Sequence, residues 1–246
     1  MEGSVDKLIV LRGDDIQITP EIILHQPTLN EVTDYGEARF FSTFYSLCSI
    51  PSDMTSVLWD NGVDFMKITD WQLFMNISRS FTSEDTAIMF GDKIDFSKMQ
   101  PMRVGDTEEI VLVGEEIIVS EKDYLAFIPY VREAIGYVLK RRKAGNRATK
   151  MAMIDDDRIS RNLAAKKEYE SSMFSIVTSL VNTEEFGYTY KSAYDLTVYQ
   201  LLKSYFQIQN KKSACALYQG SMSGFVDTSK ISKDSFSWIY DEAKFK

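Results

Sequence analysis

Apolar positions in this chain recur mostly at helical spacing and alternate in only two places. The chain is expected to be organised around the stretch from Tyr190 to Trp238, where an apolar helix leads into a turn rich in small residues. Tyr194, Val198, Leu201, Tyr205 and Ile208 fall on one helical stripe, with Tyr199, Leu202 and Phe206 on a second beside it. That pattern predicts a helix with a wide apolar face, around which other helices pack. The following stretch from Tyr218 to Asp227, with Gly220 and Gly224, reads as a tight turn or short hairpin, and Phe236 and Trp238 are placed to fold back onto the helix.

At the start of the chain, Leu8-Ile9-Val10-Leu11 and Ile22-Ile23-Leu24 read as two strands separated by Gly13-Asp14-Asp15. Thr28 and Glu31 have the form of a capping box, and Leu29, Val32, Tyr35, Phe41, Phe44, Tyr45 and Cys48 continue one helix to Ile50-Pro51. Ser52 or Asp53 is placed to cap a short helix ended by Asn61-Gly62, and Thr69 or Asp70 to cap another carrying Trp71, Phe74 and Ile77. From Thr86 to Val119 the residues turn β-branched and alternating, punctuated by Gly91, Gly105 and Gly114, which predicts a small sheet or hairpin insert. Ser120 and Asp123 open the next helix, carrying apolar residues to Val138, and Pro129 predicts a break near Phe127.

The fold class expected is therefore α+β and mainly helical, a helical core with an N-terminal strand pair and a small β-hairpin insert. The basic, glycine-containing run Lys140 to Lys150 suggests a hinge. It divides the chain into an N-terminal lobe (1–143), a hinge (144–150) and a C-terminal helical lobe (151–246), with helices over 151–170 and 173–181 and no internal repeat.

Composition narrows the function classes more than the fold. With 246 residues and 44% hydrophobic content the chain can bury a core without staples. A net charge of −8 argues against duplex nucleic acid or an anionic membrane as the main partner and suits protein partners. Cys48 and Cys215 read as buried free thiols of a reducing cytosol. No signal peptide and no membrane span is expected.

Candidate chemistry is sparse. His25 is the single histidine and cannot by itself build a zinc site or a triad; it reads as a surface residue at a strand end. Asp14-Asp15, Asp92 with Asp95, and Asp155-Asp156-Asp157 would bind a divalent ion only if they converged, and read as solvated turns and an early helical turn. Gly220 to Gly224 lacks the lysine and hydroxyl of a phosphate loop, since Phe225-Val226 follow. The basic run, with Lys166-Lys167 beyond it, has no interleaved aromatics and meets three aspartates, so it reads as a solvated helix end. The eleven methionines and the aromatics fit either a plastic groove or a core, and their helical spacing favours the core. No catalytic, cofactor-binding or metal residues are assigned, no cofactor is implied, and the expectation is that the chain is not an enzyme.

Leu11 to Ile18, Ile23 to Val32 and Asp34 to Glu37 resemble the opening of a family encoded in the tail-gene region of siphophages of Gram-positive hosts. The resemblance continues through Phe90-Gly91-Asp92 with Asp95-Phe96, Tyr218-Gln219-Gly220 with Ser223-Gly224 and Val226-Asp227, and Trp238. These are turn and packing residues that carry no chemistry. Proteins of that family are described as tail assembly chaperones or as uncharacterised phage proteins. The resemblance implies a non-enzymatic factor of the host cytoplasm that binds the tape-measure protein, and the tail tube protein as a second partner, during tail assembly. The alternative is a structural component of the virion, a head-to-tail or tail-tip protein. A phosphoryl-transfer or nuclease enzyme using the aspartates ranks last. Oligomeric state and a frameshifted longer form are not legible in one reading frame.

Overall fold

Asp6 starts the first helix, α1 (Lys7–Arg12): its carboxylate accepts the backbone N–H of Leu8 and Ile9, and Gly13 at φ 83° ends it. The Leu8 to Leu11 run expected as a strand is therefore helical, because caps at both ends outweigh its β-branched composition. The strand pair falls one element later. In the computed structural model, which describes residues 5–223, 229 and 231–239, β1 (Ile16–Gln17) pairs antiparallel with β2 (Ile23–Leu24), Ile16 opposite Leu24.

Thr28 and Glu31 form the expected capping box at α2 (Leu29–Tyr35), but that helix stops at Gly36, and α3 (Glu37–Cys48) begins anew. At φ 100° and ψ 108° Gly36 lies outside any helical conformation, so one expected helix becomes two. A 3₁₀ turn at Pro51–Asp53 leads to α4 (Thr55–Asp60), closed at Asn61. Neither Ser52 nor Asp53 caps α4: the Asp53 carboxylate accepts from the Ile50 N–H instead. Thr69 caps α5 (Asp70–Ser78) reciprocally with Gln72.

Thr86, Ile88 and Phe90, expected in the β insert, lie in α6 (Ser83–Phe90), which a Thr82–Asp85 capping box opens. The insert itself is a three-stranded antiparallel sheet in the order β3 (Gln100–Arg103), β4 (Ile110–Val113), β5 (Ile118–Val119), one strand more than a hairpin. Ser120 and Asp123 box the start of α7 (Glu121–Ala134), which continues through Pro129 without the expected break. Phe127, Ile128 and Val131 are buried on both sides of the proline, and that packing holds the helix together where one ladder hydrogen bond is missing. Gly136 at φ 69° then stops the chain from continuing as helix, leaving Val138 exposed beyond its end.

A cluster of aromatic rings lies among α3, α5, α6 and α7. Phe74 sits 4.8 Å from Tyr124 and 5.7 Å from Phe127, while Phe90 meets Phe96 and Phe127 edge-on at 5.2 and 5.3 Å. Such pairs each contribute about 0.5–1.5 kcal/mol beyond the area they bury.

The basic run is tied down within this body. Arg141 donates from both terminal nitrogens to the Asp70 carboxylate, Arg142 donates to the Ser52 carbonyl at 3.0 Å, and Lys150 pairs with Asp64 at 2.6 Å. Helix α8 (Arg147–Ala164), capped by Asn146, lies on α4: Ile154 is buried with Leu58, Phe65 and Leu73, and Thr55 donates to the Met153 carbonyl. Two compact units result, Met1–Ser171 and Ser172–Lys246, so 144–150 lies inside the first unit and the division falls at 171/172.

The second unit contains α9 (Ser172–Val181), α10 (Tyr190–Ala193) and α11 (Val198–Met222). A Thr197–Gln200 capping box starts α11, leaving Tyr194 outside it. The helix runs on through Tyr218 to Met222, where a turn was expected, and Gly224 to Asp227 lie outside the described residues. The fold-back is present: Gln207 donates to the Trp238 carbonyl, Asn210 to that of Ser237, and Phe236 meets Tyr218 at 5.2 Å. Only Val198, Tyr199, Leu201 and Ala214 of its 25 residues are buried, so α11 does not organise the chain; the aromatic cluster of the first unit does.

Candidate functional site

The side chains singled out for chemistry do not converge. His25 follows β2, with Nδ1 2.7 Å from an Asp15 carboxylate oxygen and Nε2 3.0 Å from one of Glu31. Burial works against its charge, but the Asp15 hydrogen bond and the Glu31 carboxylate outweigh it and raise the pKa. When protonated, the imidazole donates to both carboxylates and has no lone pair for a metal. It clamps the β1–β2 pair to the capping box of α2.

Asp95 is buried enough to favour its neutral form, yet bonds from Ser97 and Lys98 keep its pKa below the usual carboxylate value. It shares a cavity of about 240 Å³ with Asp92, Lys93, Glu115 and Glu116. The Asp155 to Asp157 run splits: Asp155 pairs with Arg158, while Asp157 holds Ser56 and Arg161. Among the described residues no group of three or more potential ligands could hold a metal ion. Cys48 is buried, and burial pushes its thiol up to about 12; Cys215, expected to be buried, is exposed on α11.

Gly220 lies within α11, so no loop cradles a phosphate there. In the basic run, Arg141, Arg142 and Lys150 are engaged within the first unit, and the Lys150 ammonium also lies 5.0 Å from the Trp59 ring centroid.

What remains is a surface. In the second unit nine described apolar residues are buried and nine large ones are exposed, against thirty-four and thirteen in the first. Helix α9 shows how this arises. Met173, Val177 and Leu180 turn inward at helical spacing, while Phe174, about a quarter-turn away, is 72% exposed. Tyr188, Tyr190 and Tyr194 around α10 and Tyr218 and Met222 on α11 are exposed too. Isolated exposed apolar residues are ordinary, but equal numbers inside and outside mark a unit whose apolar residues exceed its own core.

Charge sets the units apart as well. Residues 172–246 carry eight lysines against seven acidic residues, whereas 1–171 carry twenty basic against twenty-nine acidic. Helical spacing alone missed this surface, because spacing does not distinguish a covered apolar side chain from an uncovered one. The available signal was the run from Leu196 to Val226, which has no Asp or Glu.

A family model described as YomV second domain matches residues 165–241. The matched stretch starts just before the second unit and covers most of it, so family description and packing divide the chain at nearly the same place. The match points to a phage-related protein. No curated protein and no solved structure matches the chain. Among the described residues no helix is long and apolar enough to cross a membrane.

Proposed function

We propose that this chain is a non-enzymatic phage protein that binds tail proteins, the tape-measure protein and the tail tube protein, in the host cytoplasm while the tail is assembled. The observation that carries the reading is that the described residues of the second unit expose as many large aromatic and apolar side chains as they bury. The resemblance of the sequence to tail assembly chaperones and the phage-related family match support it. A long amphipathic tape-measure chain exposes apolar surface before tube subunits cover it. A protein with a strongly acidic first unit and an aromatic-rich second unit is suited to shield that surface and stay dispersed.

The reading is tested by co-expressing the full chain with the tape-measure protein of its phage. The soluble fraction of the tape-measure protein should rise, and purified virions should lack the chain. Stoichiometric recovery of the chain at many copies per particle would overturn the chaperone reading in favour of a structural component.

A further inference from the structure

From Leu196 to Val226 the sequence has no Asp or Glu but includes Lys203, Lys211 and Lys212, in a chain of formal charge −8. Helix α11 occupies most of this stretch. Its first turns bury Val198, Tyr199 and Leu201. Further along, Gln207, Asn210 and Tyr218 engage the segment carrying Phe236 to Trp238. The other side of its later turns presents Gln209, Lys212, Ala216, Gln219 and Met222, all exposed and spaced by three and four residues. At 1.5 Å per residue this row is about 20 Å long, the footprint of a docked helix of similar length.

The chemistry of the row selects its occupant. Met222 is 86% exposed and offers an adaptable apolar contact, and Gln219 offers an amide to a polar flank, whereas the Gln209 amide donates to the Tyr205 hydroxyl at 2.6 Å. Lys211 pairs with Glu185 at 3.7 Å, and the Lys203 ammonium lies 4.9 Å from the Tyr199 ring centroid. Lys212 stands exposed at the middle of the row, and α11 contains no carboxylate. A basic helix laid on this row would meet Lys212 and no carboxylate of α11, the Glu185 carboxylate beside it being paired with Lys211, and an acidic one would be attracted. With three lysines in the whole stretch, the face carries too few cations to bind a nucleic acid backbone strongly.

We propose that this face of α11 docks an acidic amphipathic helix of a protein partner. The inference rests on the reading that the chain binds another phage protein, and it names the chemistry of the bound segment.

The test uses the full chain and fluorescent amphipathic peptides of about 20 residues, matched to the row, with identical apolar positions and either Glu or Lys at the polar ones. The Glu peptide should bind and the Lys peptide bind at least about tenfold more weakly. Lys212→Glu should weaken Glu-peptide binding about tenfold without changing the melting temperature, and Met222→Ser should weaken both peptides. Equal binding of the two peptides, no effect of either substitution, tighter binding of single-stranded oligothymidine, or a dimer in sedimentation that excludes the Glu peptide would each overturn the proposal. If Lys212→Glu captures the tape-measure protein as well as the unaltered chain does, the face proposal falls and the tail-protein reading stands. If the unaltered chain captures no tail protein yet discriminates the peptides as expected, the face stands and that reading falls.

Discussion

Oδ2 of Asp157 accepts both the backbone N–H of Ser56, at 2.9 Å, and its hydroxyl, at 2.6 Å, across 101 residues of sequence. Arg161 bonds both oxygens of the same carboxylate and also donates to the Asp53 carbonyl. This latch makes α8 part of the first unit. Hydrogen bonds to a charged group contribute about 1.5–3 kcal/mol each, and their loss here leaves a buried Ser56 donor without its partner. Asp157→Ala should therefore destabilise the first unit by about 2–4 kcal/mol in urea titration. Burial tends to raise the Asp157 pKa, but the Ser56 and Arg161 bonds lower it on balance, so its contribution is present above the ordinary carboxylate range and is lost as pH falls through the depressed value. Asp157→Ala should flatten that acid limb.

His25 predicts the opposite limb. Its pKa is raised above 6.5, so the clamp's stabilisation is complete below that value and is lost as pH rises through the higher folded one. Melting temperatures measured at mildly acidic and mildly alkaline pH should fall more for the unaltered chain than for His25→Asn. Equal falls would show that the imidazole is neutral between Asp15 and Glu31.

Two residues of α11 that both fall on apolar stripes of the sequence should behave differently. Leu201 is 0% exposed and Phe206 37% exposed. Leu201→Ala should cost about 2–5 kcal/mol, whereas Phe206→Ala, which leaves no fully enclosed cavity, should cost about 1 kcal/mol or less. Thermal denaturation of both variants decides this, and equal large losses would place Phe206 in the core.

Trypsin should cut first at Lys166 or Lys167. Residues 165–168 follow the end of α8 and are exposed, while Arg141 and Arg142 are held by Asp70 and the Ser52 carbonyl. Mass spectrometry of the earliest fragments checks the site. First cleavage within Lys140 to Lys150 would restore the hinge to that run.

Local chemistry was readable where a side chain reaches its own backbone. The capping boxes of Thr28 with Glu31 and Ser120 with Asp123 mark their helices correctly, and the β-branched run at Ile110 to Val113 marks the middle strand of the insert. Leu8 to Leu11 misleads because its β-branched character is overruled by Asp6 and Gly13 at its ends, and Gly36 because its positive φ is invisible in a pattern of apolar spacings. Long-range pairing was not readable at all. Lys150 meets Asp64, and Arg141 meets Asp70, across stretches no local window spans, so a run of like charge looked like a hinge. The aromatic surface of the second unit was visible as residues, but not as a surface. Whether an apolar side chain is covered depends on how many elements surround it, and Phe174, Tyr188, Tyr190 and Tyr218 are left exposed.

The central claim is that the chain binds tail proteins before the particle is complete. Its most direct test is quantitative mass spectrometry of proteins co-purified with the tagged full-length chain from phage-infected cells before lysis. The account predicts that the tape-measure protein, with the tail tube protein beside it, is the most enriched phage product. Recovery of the folded chain with neither protein enriched would contradict it.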